Sequence, residues 1–211
     1  MIVDLHIHES TYSADSKITL KEIIEEAKRK GLQGVCITDH DNNYIKEKAI
    51  EVSEELNYPV FVGVEYLTYD GDIVAFGLDE VPKVKMSAQE FIELVVSEGG
   101  VCISAHPYRN NNRGLEDKIK IVKGLSAIEA FNGNTDDESN KKAFDVSKEL
   151  NIQAIGASDA HHLYKVGKFA TLLPYEVYDT QGLIKAIKSN ECKPAIYKDG
   201  KYIIFKSYSL K

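Results

Sequence analysis

Residues 2–8 run Ile2-Val3-Asp4-Leu5-His6-Ile7-His8. The apolar residues predict a buried strand over Ile2–Leu5. His6 and His8 follow two residues apart, so on a strand both imidazoles point to one face. A strand that ends in a pair of same-face metal-type donors predicts a site at its C-terminal end.

Working outward, similar apolar segments recur at Gly34–Ile37, Val60–Val64, Val101–Ser104, Ala127–Ala130 and Gln153–Ala157. Their starts lie roughly 26 to 40 residues apart, the size of a strand–helix repeat. Leu20, Ile23, Ile24 and Ala27 fall on one helical face, with a Thr19/Glu22 capping box before them and Gly31 after. Ser87 and Glu90 repeat the box ahead of Phe91, Leu94 and Val95. Phe144, Val146 and Leu150 predict a further helix, as do Leu183, Ile184 and Ile187. Ile73–Phe76 is expected to pair with Val60–Tyr66 across a Tyr69–Gly71 turn. The alternation predicts an α/β fold with a mostly parallel sheet, and one domain over residues 1–211. The segment after Lys193, with Tyr197, Tyr202, Ile203, Ile204 and Phe205, reads as a closing hairpin or a dimer edge, which leaves a homo-oligomer open.

Five of the six histidines, His6, His8, His40, His106 and His161, lie at or just past predicted strand ends, as do Glu65 and Asp159. Parallel strands bring those ends to one rim. Asp159 and His161 repeat the i, i+2 spacing. Imidazoles with carboxylates suit zinc, manganese or iron. Each motif alone has a bland reading as a polar loop, turn or cap, but together and in this order they point to a metal centre. His162 faces away from its neighbour and reads as surface or supporting. Cys36 and Cys102 sit in apolar strands and read as core.

Composition sets limits. Of 211 residues, 43% are hydrophobic and 28% charged, a globular balance, and the net charge of -7 disfavours a binder of long nucleic acids. No apolar run approaches a membrane span, Asp4 and His6 interrupt the first apolar stretch, and three cysteines make no Cys-x-x-Cys pair. A cytoplasmic location without membrane contact is expected.

Taken together, Asp4-Leu5-His6-Ile7-His8 with the loop Ser10–Ser16, Ile37-Thr38-Asp39-His40-Asp41, Gly63-Val64-Glu65, Ser104-Ala105-His106-Pro107, Ile128-Glu129-Ala130-Phe131-Asn132 and Gly156-Ala157-Ser158-Asp159-Ala160-His161 resemble the motifs of the PHP family, the polymerase and histidinol phosphatase domain. The resemblance runs from Ile2 to about Lys188. It implies a distorted seven-stranded α/β barrel with a trinuclear metal centre at the C-terminal rim of the strands. It implies His6, His8, Glu65 and Asp159 at a first metal position, with Glu65 bridging to a second that includes His106. It implies His40, His161 and Asp15 at a third. Asp72 stands where many members carry a histidine, and it reads either as a second-position ligand favouring manganese or iron, or as a hairpin turn residue. Asp39, Glu129 and Asn132 are expected to support ligands through hydrogen bonds.

With two or three divalent ions, the charge surplus at such a centre suits an anionic substrate. Arg109 and Arg113 read either as phosphate contacts or as part of a solvated loop. The implied activity is metal-dependent hydrolysis of a small phosphate monoester by metal-activated water, with a nucleotide, a nucleoside bisphosphate or histidinol phosphate as substrate. A peptide phosphotyrosine is a third substrate class. A non-catalytic, metal-stabilised interaction domain and an exonuclease acting on short oligonucleotide ends are the alternatives.

Overall fold

A computed structural model describes residues 1–205. The chain folds as a mixed α/β structure with five α-helices and two sheets among the described residues. The strands are β1 (Ile2–Ile7), β2 (Gly34–Ile37), β3 (Val60–Val62), β4 (Val64–Leu67), β5 (Asp72–Phe76), β6 (Val101–Ser104), β7 (Ala127–Asn132), β8 (Ala154–Ala157), β9 (Phe169–Leu172), β10 (Lys193–Lys198) and β11 (Lys201–Ile204). The helices are α1 (Leu20–Lys30), α2 (Lys46–Leu56), α3 (Ala88–Ser97), α4 (Asp137–Glu149) and α5 (Thr180–Lys188).

Local chemistry sets these elements. Both expected capping boxes form, Thr19 with Glu22 and Ser87 with Glu90, and Gly31 ends α1 in the left-handed region at φ 79°. The α1 face read from the sequence, Leu20, Ile23, Ile24 and Ala27, is the buried one; on α3 Phe91 and Val95 are buried as expected, but Ile92 takes the place expected of Leu94, which is only half-buried. Cys36 and Cys102 are core residues.

One sheet has the order β11-β10-β9-β1-β2-β3 and the other β4-β5-β6-β7-β8. β1, β2 and β3 are parallel, as are β6, β7 and β8, while β4–β5, β5–β6 and the pairs through β9 and β10 are antiparallel. The expected single strand from Val60 is thus two strands in different sheets. Gly63 makes the crossing: a Cβ there would lie 2.5 Å from the Ala75 carbonyl oxygen and 2.7 Å from the Phe76 ring.

The ladders do not run round as the closed seven-stranded barrel implied by the resemblance. β9 takes the lower half of β1, at Ile2 and Val3, so β8 has no ladder with β1. Instead the sheets meet at two isolated parallel bridges, Ile7 with Ala160 and His40 with Glu65. Both seams close at the strand C-terminal ends, beside the predicted donors. The last two strands form the closing hairpin, turning at Asp199 and Gly200 with φ of 51° and 79°.

Candidate metal centre

The two seams bring His6, His8, His40, Glu65, Asp72, His106, Asp159 and His161 to one rim, with Asp15 reaching over from the loop after β1. They form three adjoining donor groups: His6, His8 and Asp159; Glu65, Asp72 and His106; His8, His40 and His161.

The first group is wholly buried. His6 Nε2 and His8 Nε2 lie 3.0 Å apart. Glu65 Oε2 is 3.4 and 3.2 Å from them, and Asp159 Oδ1 is 3.6 and 3.3 Å away. Two ligands about 2.0–2.1 Å from one tetrahedral ion stand roughly 3.3–3.4 Å apart, and these five separations are of that size. The tautomers agree. His6 Nδ1 faces Glu129 Oε1 at 3.0 Å, and a carboxylate only accepts, so Nδ1 carries the proton and the Nε2 lone pair points into the group. Asp159 Oδ1 is buried with no hydrogen-bond partner of its own. Burial opposes a charge on His8, yet the carboxylates of Asp159 and Glu65 facing it push its imidazole up to about 9. This group fits a divalent cation.

The third group lies nearer to solvent. Asp15 Oδ2 stands 3.1 Å from His40 Nε2 and 3.2 Å from His161 Nε2. His161 Nδ1 donates to the Asp159 carbonyl at 3.0 Å, which leaves its Nε2 lone pair for Asp15's side of the site. Burial alone would raise the Asp15 carboxyl; the imidazoles of His40, His161 and His8 outweigh it and hold the carboxyl below its ordinary value.

The second group is less regular. Glu65 turns Oε1 toward His106 Nε2 at 2.8 Å, while Asp72 Oδ2 is 3.8 Å from that nitrogen. Asp72 is not a turn residue: it begins β5 opposite Leu67 and is fully buried. Burial and then Glu65 push its carboxyl up to about 6, against the pull of Arg113.

Nor do the two arginines wave in a solvated loop. Arg113 grips Asp72 with Nε at 2.6 Å and Nη2 at 3.0 Å. Arg109 donates to Asp159 Oδ2, to Asn132 Oδ1 at 2.6 Å and to Thr135 Oγ1 at 3.1 Å.

A PHP domain model matches residues 4–128, and a PHP-associated model matches 137–192. The chain belongs to the PHP family. An uncharacterised protein of Methanocaldococcus jannaschii is 34% identical over 143 residues, 63% of this chain and 82% of that one. A phosphoribosyl 1,2-cyclic phosphate 1,2-diphosphodiesterase of Eggerthella lenta is 34% identical over 86 residues, and the match spans only 32% of its length. Among solved structures, a protein of Bifidobacterium adolescentis provisionally named a metal-dependent phosphoesterase superposes with a TM-score of 0.67 at 20% identity, covering 89% of this chain and 96% of that one.

Around this PHP centre the three expected supporting residues do touch the donors or their loops. Glu129 holds His6 with one oxygen and accepts the His106 backbone N–H (2.7 Å) and Asn132 Nδ2 (3.0 Å) with the other. Asn132 Nδ2 also reaches Asp159 Oδ2 at 3.3 Å. Asp39 accepts the Glu9 N–H and the Ser13 hydroxyl, each at 2.9 Å. Ser13 is a residue that sequence reasoning missed. Its Oγ lies 3.3 Å from His8 Nδ1 and takes the His40 N–H at 3.2 Å, so a chain from His8 through Ser13 to Asp39 orients the imidazole. Only its place in the Ser10–Ser16 loop could have flagged it. Asp4 is another such residue. A charge inside an apolar strand was the available signal: its carboxylate takes the N–H groups of Ser158 and Gly167, each at 2.9 Å, and so anchors the segment bearing Asp159. His162 is exposed and stacks on Tyr164.

Proposed function

We propose that this single domain is a metal-dependent phosphoric ester hydrolase. It acts on small phosphate monoesters, with nucleotides, nucleoside bisphosphates and histidinol phosphate as the substrates to try first. The buried group of His6, His8 and Asp159, with Glu65 Oε2 beside both imidazoles, carries this reading. Divalent ions held there and by His40, His161 and Asp15 would supply a water of lowered pKa and polarise phosphoryl oxygens. Manganese, zinc and iron all suit these donors.

The chain's own residues divide the remaining work. Glu129 and Ser13 hold His6 and His8 in the tautomers that offer Nε2. Glu65 turns Oε2 toward His6 and His8 and Oε1 toward His106, so one carboxylate ties two strand ends to the site. The first group is sealed from solvent, whereas His40, His161 and Asp15 are 25%, 18% and 54% exposed at their side chains, so substrate approaches over the third group. Arg109 and Arg113 stand beside that approach, and the Nη1 of each has no protein partner among the described residues, leaving donors for phosphate oxygens. No protein nucleophile is called on: the Cys36 and Cys102 thiols are buried and raised by that burial, and the Ser13 hydroxyl is committed to Asp39.

No helix among the described residues is long and apolar enough to cross a membrane. The relative named as a diesterase makes cyclic and oligonucleotide diesters useful comparisons. The test is release of phosphate from a panel of monoesters, diesters and short oligonucleotides with added manganese, zinc or iron, before and after chelation. Hydrolysis of no ester at any metal loading would leave the metal-stabilised interaction domain as the better reading.

A further inference from the structure

Three observations set the Glu65–Asp72–His106 group apart from its neighbours. First, both oxygens of Asp72 are already in a fork with Arg113, at 2.6 and 3.0 Å. The fork is built in. The Asp72 N–H donates to the Arg113 carbonyl at 2.6 Å, and the Arg113 loop lies against the turn before β5 at two glycines. A Cβ on Gly71, at φ 146°, would lie 2.5 Å from the Gly114 carbonyl carbon, and a Cβ on Gly114 would lie 2.1 Å from the Pro107 oxygen. The backbone under Arg113 therefore has little room to withdraw.

Second, the His106 ring is not set to offer a lone pair. His6, His8 and His161 each have a partner on Nδ1, while His106 Nδ1 is buried with none. Its Nε2 lies 2.8 Å from Glu65 Oε1, the geometry of an N–H donating to a carboxylate. Third, the distances from His106 Nε2 are uneven, 2.8 and 3.8 Å, whereas those around His6 and His8 fall between 3.0 and 3.6 Å. Charge completes the case. The Asp72 carboxylate brings one negative charge to this group, and the Arg113 guanidinium in its fork brings one positive charge to match it.

From this geometry we infer that the Arg113 guanidinium serves as the resident cation of the second group, so that the chain holds two metal ions, not three. The inference rests on the metal-centre reading above. A divalent ion at Glu65, Asp72 and His106 would have to displace a bidentate, charge-matched arginine and sit beside it. Arg113 instead neutralises Asp72 permanently and keeps its Nη1 for an anion, so one arginine does the work of a cation and of a phosphate contact.

The experiment counts metal. Parent, Arg113→Ala and Arg113→Gln are prepared with manganese or zinc present throughout, so that an ion can neutralise Asp72 where the guanidinium is gone. Glutamine keeps a donor for Asp72 without the charge. After excess metal is removed, elemental analysis is expected to find about two ions per parent chain and about three in at least one variant. About three in the parent overturns the inference and leaves the metal centre standing. About two in the parent and in both variants also overturns it, because something other than Arg113 then keeps the ion out. Failure of both variants to fold with metal present has the same force, since no ion then takes the guanidinium's place. A parent with no bound metal overturns the metal centre itself.

Discussion

At the scale of single residues, Glu65 and Glu129 are both buried glutamates of the centre, yet the structure gives them different work. Glu65 Oε2 faces His6, His8 and His40, and Oε1 faces His106. Glu129 touches the group directly at His6 and reaches Asp159 through Asn132. Glu65→Gln removes a charge and replaces one donor oxygen with an amide nitrogen that cannot ligate. It should abolish most hydrolysis and lower metal occupancy by about one ion, with the fold kept. Glu129→Gln puts an NH₂ against the His106 N–H or the His6 Nδ1–H, and a milder loss of about 10- to 100-fold in metal affinity or rate is expected. Metal stoichiometry and kcat for the two variants, with circular dichroism for folding, check the order; the reverse order would invert the two roles. Ser13→Ala cuts the link between His8 and Asp39 and should fall in the same 10- to 100-fold range. Metal affinity unchanged from the parent would show that Ser13 does not orient His8.

At the scale of elements, the crossing at Gly63 joins β3 in one sheet to β4 in the other, two residues before Glu65. Any side chain there presses on the Ala75 carbonyl and the Phe76 ring. Gly63→Ala should cost about 1–3 kcal/mol in denaturant unfolding and also weaken metal binding, because the seam that places Glu65 against His40 must shift. Thr19→Ala is the control. It removes a cap from α1, away from the seam, and should cost about 1 kcal/mol with metal affinity unchanged. Equal effects of the two substitutions on metal affinity would mean that the centre responds to overall stability and not to the seam. The element list itself was largely legible. Strand ends, capping boxes and the helix faces of α1 and α5 follow from period and cap chemistry, which act within a few residues. The split at Gly63 was not legible, since Val60–Val64 is as apolar as any single strand and the clash that forces the break comes from β5.

At the scale of the whole molecule, the centre concentrates buried negative charge and sets how stability depends on pH. His8 is raised from 6.5 to about 9, and Asp4, Asp39 and Asp72 are each raised from 3.8 to about 6. A group whose folded value is raised contributes stability that is complete below its unfolded value and is lost as pH climbs through the folded one. Metal-free protein should therefore lose stability from about pH 4 to 6 through the aspartates and from about pH 6.5 to 9 through His8. Burial works against the charged forms of Glu65 and Asp159, but the surrounding histidines outweigh it and hold both well below their ordinary range, so their contribution disappears in acid. For His8 alone the loss is about 3 kcal/mol, roughly 6–12 °C in Tm for a domain of this size. A metal ion needs the same imidazole neutral, so the rise in Tm on adding manganese or zinc should grow over the same window. Melting curves with and without metal from pH 5 to 9 measure it, and a metal-induced shift that is flat with pH would contradict this account.

Local sequence puts His6, His8, His40, Glu65, His106, Asp159 and His161 at a common rim, because i, i+2 spacing and strand ends are local properties and parallel strands align their ends. Tertiary structure alone decided how the donors divide. Nothing within a few residues of Asp72 says that Arg113, on a loop 41 residues away, will close a fork on it, or that β9 will take the lower half of β1 and leave the sheets to meet at Ile7 and His40. Those outcomes depend on close backbone approaches at Gly63, Gly71 and Gly114, and an approach between distant segments leaves no period in the chain that makes it.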